Sequence, residues 1–177
     1  MKQTKKCALG GIIAALSLAV MICVALVPFM TYALPAAAGA LLVIIVIEIG
    51  KKWAFAVYAA VALLGIFLVP DKEVAAMYLA FFGYYPILKS AIEGHTGKIT
   101  GLLLKVAVFL VTMIASYWLL INLMGISIDE TERFGVWAYP ILLGMGAFAF
   151  VMYDFVLTKA VIIYLKKWRR NISAFLK

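Results

Sequence analysis

The chain has 177 residues, of which 67% are hydrophobic and 14% charged, with a formal net charge of +8 and a mean hydropathy of +1.12. A soluble domain is about 45–50% apolar and about 25% charged, and a chain this short has too little interior to hide the excess. The composition therefore excludes an ordinary soluble fold and calls for a bilayer as solvent.

In lipid every backbone polar group must be paired internally, so spans are helices or closed barrel strands. Barrel strands alternate apolar and polar positions over about 10 residues. The runs here are solidly apolar and roughly 17–30 residues long, which fits helices that need about 20 residues to cross.

Six such segments follow one another, so the fold class expected is an all-α integral membrane protein of six transmembrane helices in a single domain over 1–177. They cover about 8–27, 34–49, 53–69, 74–92, 99–124 and 134–165, with a basic tail over 166–177. The first is preceded by Lys2, Lys5 and Lys6 in the manner of a signal peptide. Its apolar stretch exceeds the roughly 7–15 residues of a signal sequence, so it reads as a retained helix. Cys7 and Cys23 lie 16 residues apart in this segment, a rise of about 24 Å if helical, which excludes a disulfide between them. Pro28 and Pro35 bracket the loop PFMTYALP, Gly50-Lys51-Lys52 ends the second segment, and Pro70-Asp71 ends the third. Gly94–Lys98 separates the fourth from the fifth, and IDETERFG precedes the sixth.

Six spans put both termini on one side. With the termini cytoplasmic, 14 of the 16 basic residues fall at inner ends, leaving Lys72 and Arg133 outside with Asp71, Glu73, Asp129, Glu130 and Glu132. This asymmetry predicts a multi-pass protein of the cell membrane with an inner N-terminus and C-terminus. The tail YLKKWRRNISAFLK then lies against anionic membrane lipids, each basic residue gaining about 1 kcal/mol. The same placement beside apolar spans argues against nucleic acid as the partner.

Helices in lipid approach closely where side chains are small. Gly11, Ala15 and Ala19 recur at four-residue steps in the first segment, beside Gly10 and Ala14. This stripe fits contact with another helix of the same chain or docking to another membrane protein. The first three segments are small-sided and poor in polar groups, whereas the last three carry the aromatic and polar residues.

Catalytic and metal signals are weak. His95 is the single histidine, in a short loop, and no Cys/His/Asp cluster has metal-ligand spacing. GHTGK fails as a phosphate loop, because Ile92 and Ile99 stand where Gly and Ser or Thr are needed. Neither an enzyme activity nor a cofactor is expected. Ionisable groups within spans are more informative. Glu48 lies three and four residues from Lys51 and Lys52, and Lys89 and Lys105 sit a turn or two from the inner face, where they can snorkel. Asp154 lies deep in the last segment, where a carboxylate costs roughly 2.5–3.5 kcal/mol and demands a partner; Lys89, Lys105 and Tyr85 are the candidates. Structural pairing and a role in ligand or ion handling both fit it.

A small-molecule site lined by aromatics with a few convergent polar groups is expected between the fourth, fifth and sixth segments, beneath the first loop and open to the outside. Its candidate residues are Tyr32, Tyr78, Phe82, Tyr85, Ser116, Trp118, Asn122, Trp137, Tyr139 and Asp154. Stacking falls to the aromatics and hydrogen bonding to Tyr78, Ser116 and Asn122. The aromatic belt of membrane interfaces accounts for Trp137 and Tyr139 equally well.

With Ala15-Leu16-Ser17-Leu18-Ala19 as an AxxxA motif in the first helix, about 180 residues, six helices and inner termini, the chain resembles the substrate-binding (S) components of energy-coupling-factor vitamin transporters. The likeness covers essentially the whole chain. It implies an S-component-like bundle whose AxxxA face, with Gly11, Ala15 and Ala19, docks on a transmembrane coupling (T) component. It implies that PFMTYALP caps the substrate, that the last three helices hold a small water-soluble micronutrient in their outer half, and that two separate ATPase subunits hydrolyse ATP. Two other readings stand beside it: a self-contained ion- or proton-coupled transporter using Asp154, and a non-catalytic membrane scaffold.

Overall fold

Gly50 has φ +114°, a conformation only glycine adopts without strain, and its N–H and that of Ile49 both close on the carbonyl of Ile45, each at 2.9 Å. This cap ends α2 (Ala33–Glu48) and lets α3 (Lys51–Leu68) start at once, so the two run antiparallel. The computed structural model describes residues 3–124 and 138–168, which among themselves contain helices and turns and no strand. Ahead of α2 stands α1 (Gln3–Ile22), prolonged by a 3₁₀ turn over Cys23–Ala25. After α3 come α4 (Lys72–Met77), a π turn (Tyr78–Phe82), α5 (Tyr85–Glu93), α6 (Lys98–Met124) and α7 (Ala138–Ile163), which ends in a second π turn over Tyr164–Trp168.

The fourth apolar segment is not one continuous helix. Asp71 starts it by accepting the Glu73 N–H at 2.8 Å, and it then passes through the π turn and breaks at Gly83–Tyr84. Pro86 supplies the reason: it has no N–H to return to the carbonyl of Phe82 four residues earlier. That carbonyl turns onto Gly39 of α2, where a Cβ would lie 2.1 Å from the oxygen. Gly39 is thus required by the kink that Pro86 imposes across the bundle.

Three helices are long and apolar enough to cross a membrane among the described residues: Gln3–Ala25, Lys51–Leu68 and Leu143–Lys167. Ala33–Glu48 and Ile99–Ala115 are apolar but shorter. The outer surface agrees with membrane association. Phe67 and Phe148 are 74% and 71% exposed, with Leu63, Val111, Met145 and Phe155 also bare, a surface that water would not tolerate and lipid would.

Two cores divide the bundle. The first is mainly aliphatic and comes from α1 to α4 with Tyr78 of the π turn: Met21, Leu42, Ile45, Val61, Val69, Val74 and Tyr78 are among its fully buried members. The second is aromatic and comes from the π turn and α5 to α7, with Phe81, Tyr85, Phe109, Phe150 and Leu157, and Val43 from α2. α2 and the π turn contribute to both.

Candidate functional site

α1 packs on α2 and α3 through Gly10, Ile13, Ser17, Leu18 and Met21. A Cβ on Gly10 would meet Val57 of α3 at 3.2 Å, and the Ser17 hydroxyl donates to the carbonyl of Ala38 at 3.2 Å. Gly11, Ala15 and Ala19 are exposed, and nothing lies within 4 Å of where a Gly11 Cβ would stand. The small-residue stripe therefore faces away from the rest of the described chain; the contact with α2 and α3 is made by the neighbouring face.

Asp154 lies on α7 among α5, α6 and α7, and it is 8% exposed. Its carboxylate accepts from the Tyr85 hydroxyl at 2.5 Å, from the Lys89 ammonium, and from Lys105 at 3.2 and 3.0 Å. All three partners expected from the sequence are brought together. Lys89 and Lys105, 4% and 5% exposed, turn inward onto the carboxylate; they do not snorkel to a membrane face. Lys89 also donates to Thr158 at 2.8 Å, whose hydroxyl donates to the Asp154 carbonyl at 2.8 Å. Glu93, the last residue of α5, completes the group, 2.9 Å from Lys89 and 2.8 Å from Lys105. Two ammonium and two carboxylate groups cancel, which is the condition for keeping charges in a low-dielectric interior. Glu93 is the member open to solvent, its side chain 47% exposed. Burial opposes its ionisation, but the Lys105 and Lys89 ammonium groups outweigh that and hold its carboxyl below the usual range. Sequence reasoning missed Glu93, although its spacing of four from Lys89 on one helix was the available signal.

Aromatic rings fill the space beside this quartet. Phe109 and Phe150 stack with centroids 4.8 Å apart, and Phe81 meets both edge-on at 5.0 and 5.5 Å. Phe150 stands one turn from Asp154 on the same face of α7, so the ion pairs and the ring stack hold the helix together.

The remaining candidates scatter. Tyr32 is exposed, and its hydroxyl donates to Glu73 at 3.1 Å, joining the first loop to α4. Phe82 is half-buried and meets Tyr153 edge-on at 5.1 Å. Tyr78 is fully buried, and among the described residues its hydroxyl is the buried side-chain polar atom left without a hydrogen-bond partner. Its neighbours are satisfied: Tyr58 donates to the Leu79 carbonyl at 2.7 Å, and Tyr153 to that of Ala36 at 3.2 Å. A Cβ on Gly83 would press to 2.5 Å from the Tyr58 ring and 2.8 Å from that of Tyr78, so Gly83 permits this ring packing. Trp137 lies outside the described residues, as do the side chains of Ser116, Trp118, Asn122 and Tyr139, whose backbones belong to α6 and α7. Elsewhere Glu48 accepts from Tyr164 at 3.1 Å, His95 is exposed with Nδ1 2.9 Å from the Ala91 carbonyl, and Cys7 and Cys23 are free and exposed. No group of three or more His, Cys, Asp or Glu residues could hold a metal ion among the described residues.

No protein-family model matches the chain, and neither a curated protein nor a solved structure matches it.

Proposed function

We propose that this chain is the membrane-embedded substrate-binding subunit of an energy-coupling-factor importer. It captures a small water-soluble micronutrient from outside and passes it through a T component driven by two separate ATPases. Its six apolar segments cross the cell membrane with both termini cytoplasmic, and the chain is not itself an enzyme.

The observation that carries this reading is the outward stripe of α1. Gly11, Ala15 and Ala19 present a flat, small-sided surface that no other part of the described chain covers. In lipid such a surface is where another helix packs closely. The ligand lies in the outer half of the aromatic core. Tyr32 on the first loop and Phe82 beside the aromatic core are its candidate contacts among the described side chains. The Tyr85 hydroxyl is given to Asp154, and Asp154 to two lysines, so these two support the site from below. An ionised aspartate clamped between two ammonium groups is poorly suited to carry a proton, which weighs against the self-contained transporter.

Affinity purification of the full chain from its native membrane tests the proposal. Recovery of a second membrane subunit and two ATPases, abolished by Ala15→Leu, is the expected result. A chain always isolated alone, with the Ala15→Leu variant transporting normally, would overturn it.

A further inference from the structure

The Lys89–Glu93–Lys105–Asp154 quartet is built unevenly, and the unevenness points to a moving part. Lys105 on α6 reaches Glu93 on α5 at 2.8 Å without help from α7, so the α5–α6 joint keeps its own ion pair. α7 enters the quartet through Asp154 and Thr158. Its further polar ties include Tyr85 to Asp154, Tyr153 to the Ala36 carbonyl and Tyr164 to Glu48. Helix pairing in lipid has no hydrophobic drive, so close packing and polar ties share in holding α7 in place.

Position matters as well. Lys89 lies one turn from the end of α5, and Glu93 opens the quartet to solvent at the end of the bundle that also carries the Gly50 turn. On the other side lie the packed rings of Phe81, Phe109 and Phe150. Phe150 and Asp154 share one face of α7, so whatever withdraws the carboxylate also withdraws a ring from the stack. The lysines would retain Glu93, and solvent at that end would receive Asp154.

The geometry points to a latch: Asp154 locks α7 onto the α5–α6 hairpin, and its release opens the aromatic core at the end of the bundle carrying Glu93. This inference does not rest on the transported molecule or on a coupling partner.

Accessibility of a buried thiol tests it. Cys7→Ser and Cys23→Ser remove the native thiols, both exposed. Leu157→Cys places a reporter at a fully buried position of α7, and Val61→Cys, made separately, places a control at a fully buried position of α3. Each is labelled with a water-soluble maleimide in vesicles of phosphatidylethanolamine and phosphatidylglycerol. Asp154→Asn is expected to raise labelling at position 157 by at least about tenfold, the factor that about 1.4 kcal/mol produces, with position 61 unchanged. Asp154→Ser, which also removes the charge and leaves Lys105 on Glu93, is expected to do the same and serves if Asp154→Asn fails to fold. Continued protection of position 157 in a folded variant would overturn the latch. So would equal exposure of positions 157 and 61, which would mark the quartet as support for the whole bundle. With no partner subunit or ligand in the assay, its failure is distinguishable from failure of the docking reading.

Discussion

Lys105 of α6 holds both carboxylate oxygens of Asp154 on α7, at 3.2 and 3.0 Å, while Lys89 of α5 holds the same carboxylate from the other side. Removing one member of a buried pair leaves an uncompensated charge and costs about 3–5 kcal/mol, whereas replacing both members by apolar groups is far milder. Asp154→Leu is therefore expected to produce an early unfolding transition of α5 to α7 in a denaturant titration, with the α1–α3 core persisting. Adding Lys89→Met is expected to recover a substantial part of the loss. A double variant no more stable than the single would contradict this account.

Gly39 and Gly11 make a contrasting pair. A Cβ at Gly39 would lie 2.1 Å from a backbone oxygen that Pro86 has fixed in place, so Gly39→Ala is expected to cost about 1–3 kcal/mol or more. At Gly11 nothing lies within 4 Å, and Gly11→Ala is expected to be neutral or to stabilise by up to about 1 kcal/mol through helix propensity. Thermal unfolding in detergent micelles reads both.

Ala15→Leu is expected to leave the melting temperature of the isolated chain unchanged, because Ala15 faces away from α2 and α3. A clear drop in that temperature would mean that the stripe supports the fold, and would remove the main support for a docking surface.

Tyr78→Phe deletes a buried hydroxyl that has no hydrogen-bond partner among the described residues. Such a group costs about 1–3 kcal/mol when left unsatisfied, so the ligand-free variant is expected to melt higher than the parent. If Tyr78 bonds the micronutrient, the same variant binds it more weakly in a thermal-shift titration. A lower melting temperature without ligand would show that the hydroxyl is already satisfied.

Glu93 gives the fold a pH dependence of known sign. Its carboxyl is held below its unfolded value, so its contribution is fully present above the unfolded carboxylate range near 4.3. That contribution is lost as the pH falls through the lower, folded value. Stability in micelles is expected to decline on acidification below about pH 4, and Glu93→Gln is expected to flatten that decline. A variant as acid-sensitive as the parent would place the titrating group elsewhere.

Composition and run length by themselves determined that this chain is helical and suited to a bilayer, because backbone satisfaction in lipid allows little else. Local chemistry also marked Gly50 and Asp71 as helix boundaries and Asp154 as a carboxylate in need of a partner, with the partners named from depth alone. The kink at Pro86 was open to the same reasoning, yet the solid apolar run from Val74 to Ile92 concealed it. Only the tertiary structure decided which face of α1 is covered. Gly10 and Gly11 are chemically alike, and the choice between them depends on where α2 and α3 lie. Only the tertiary structure, likewise, drew Glu93 into the charge quartet, turned two lysines inward from the membrane face, and left the Tyr78 hydroxyl unpaired among the described residues. Each depends on groups far apart in sequence meeting in space, and no local pattern records such a meeting.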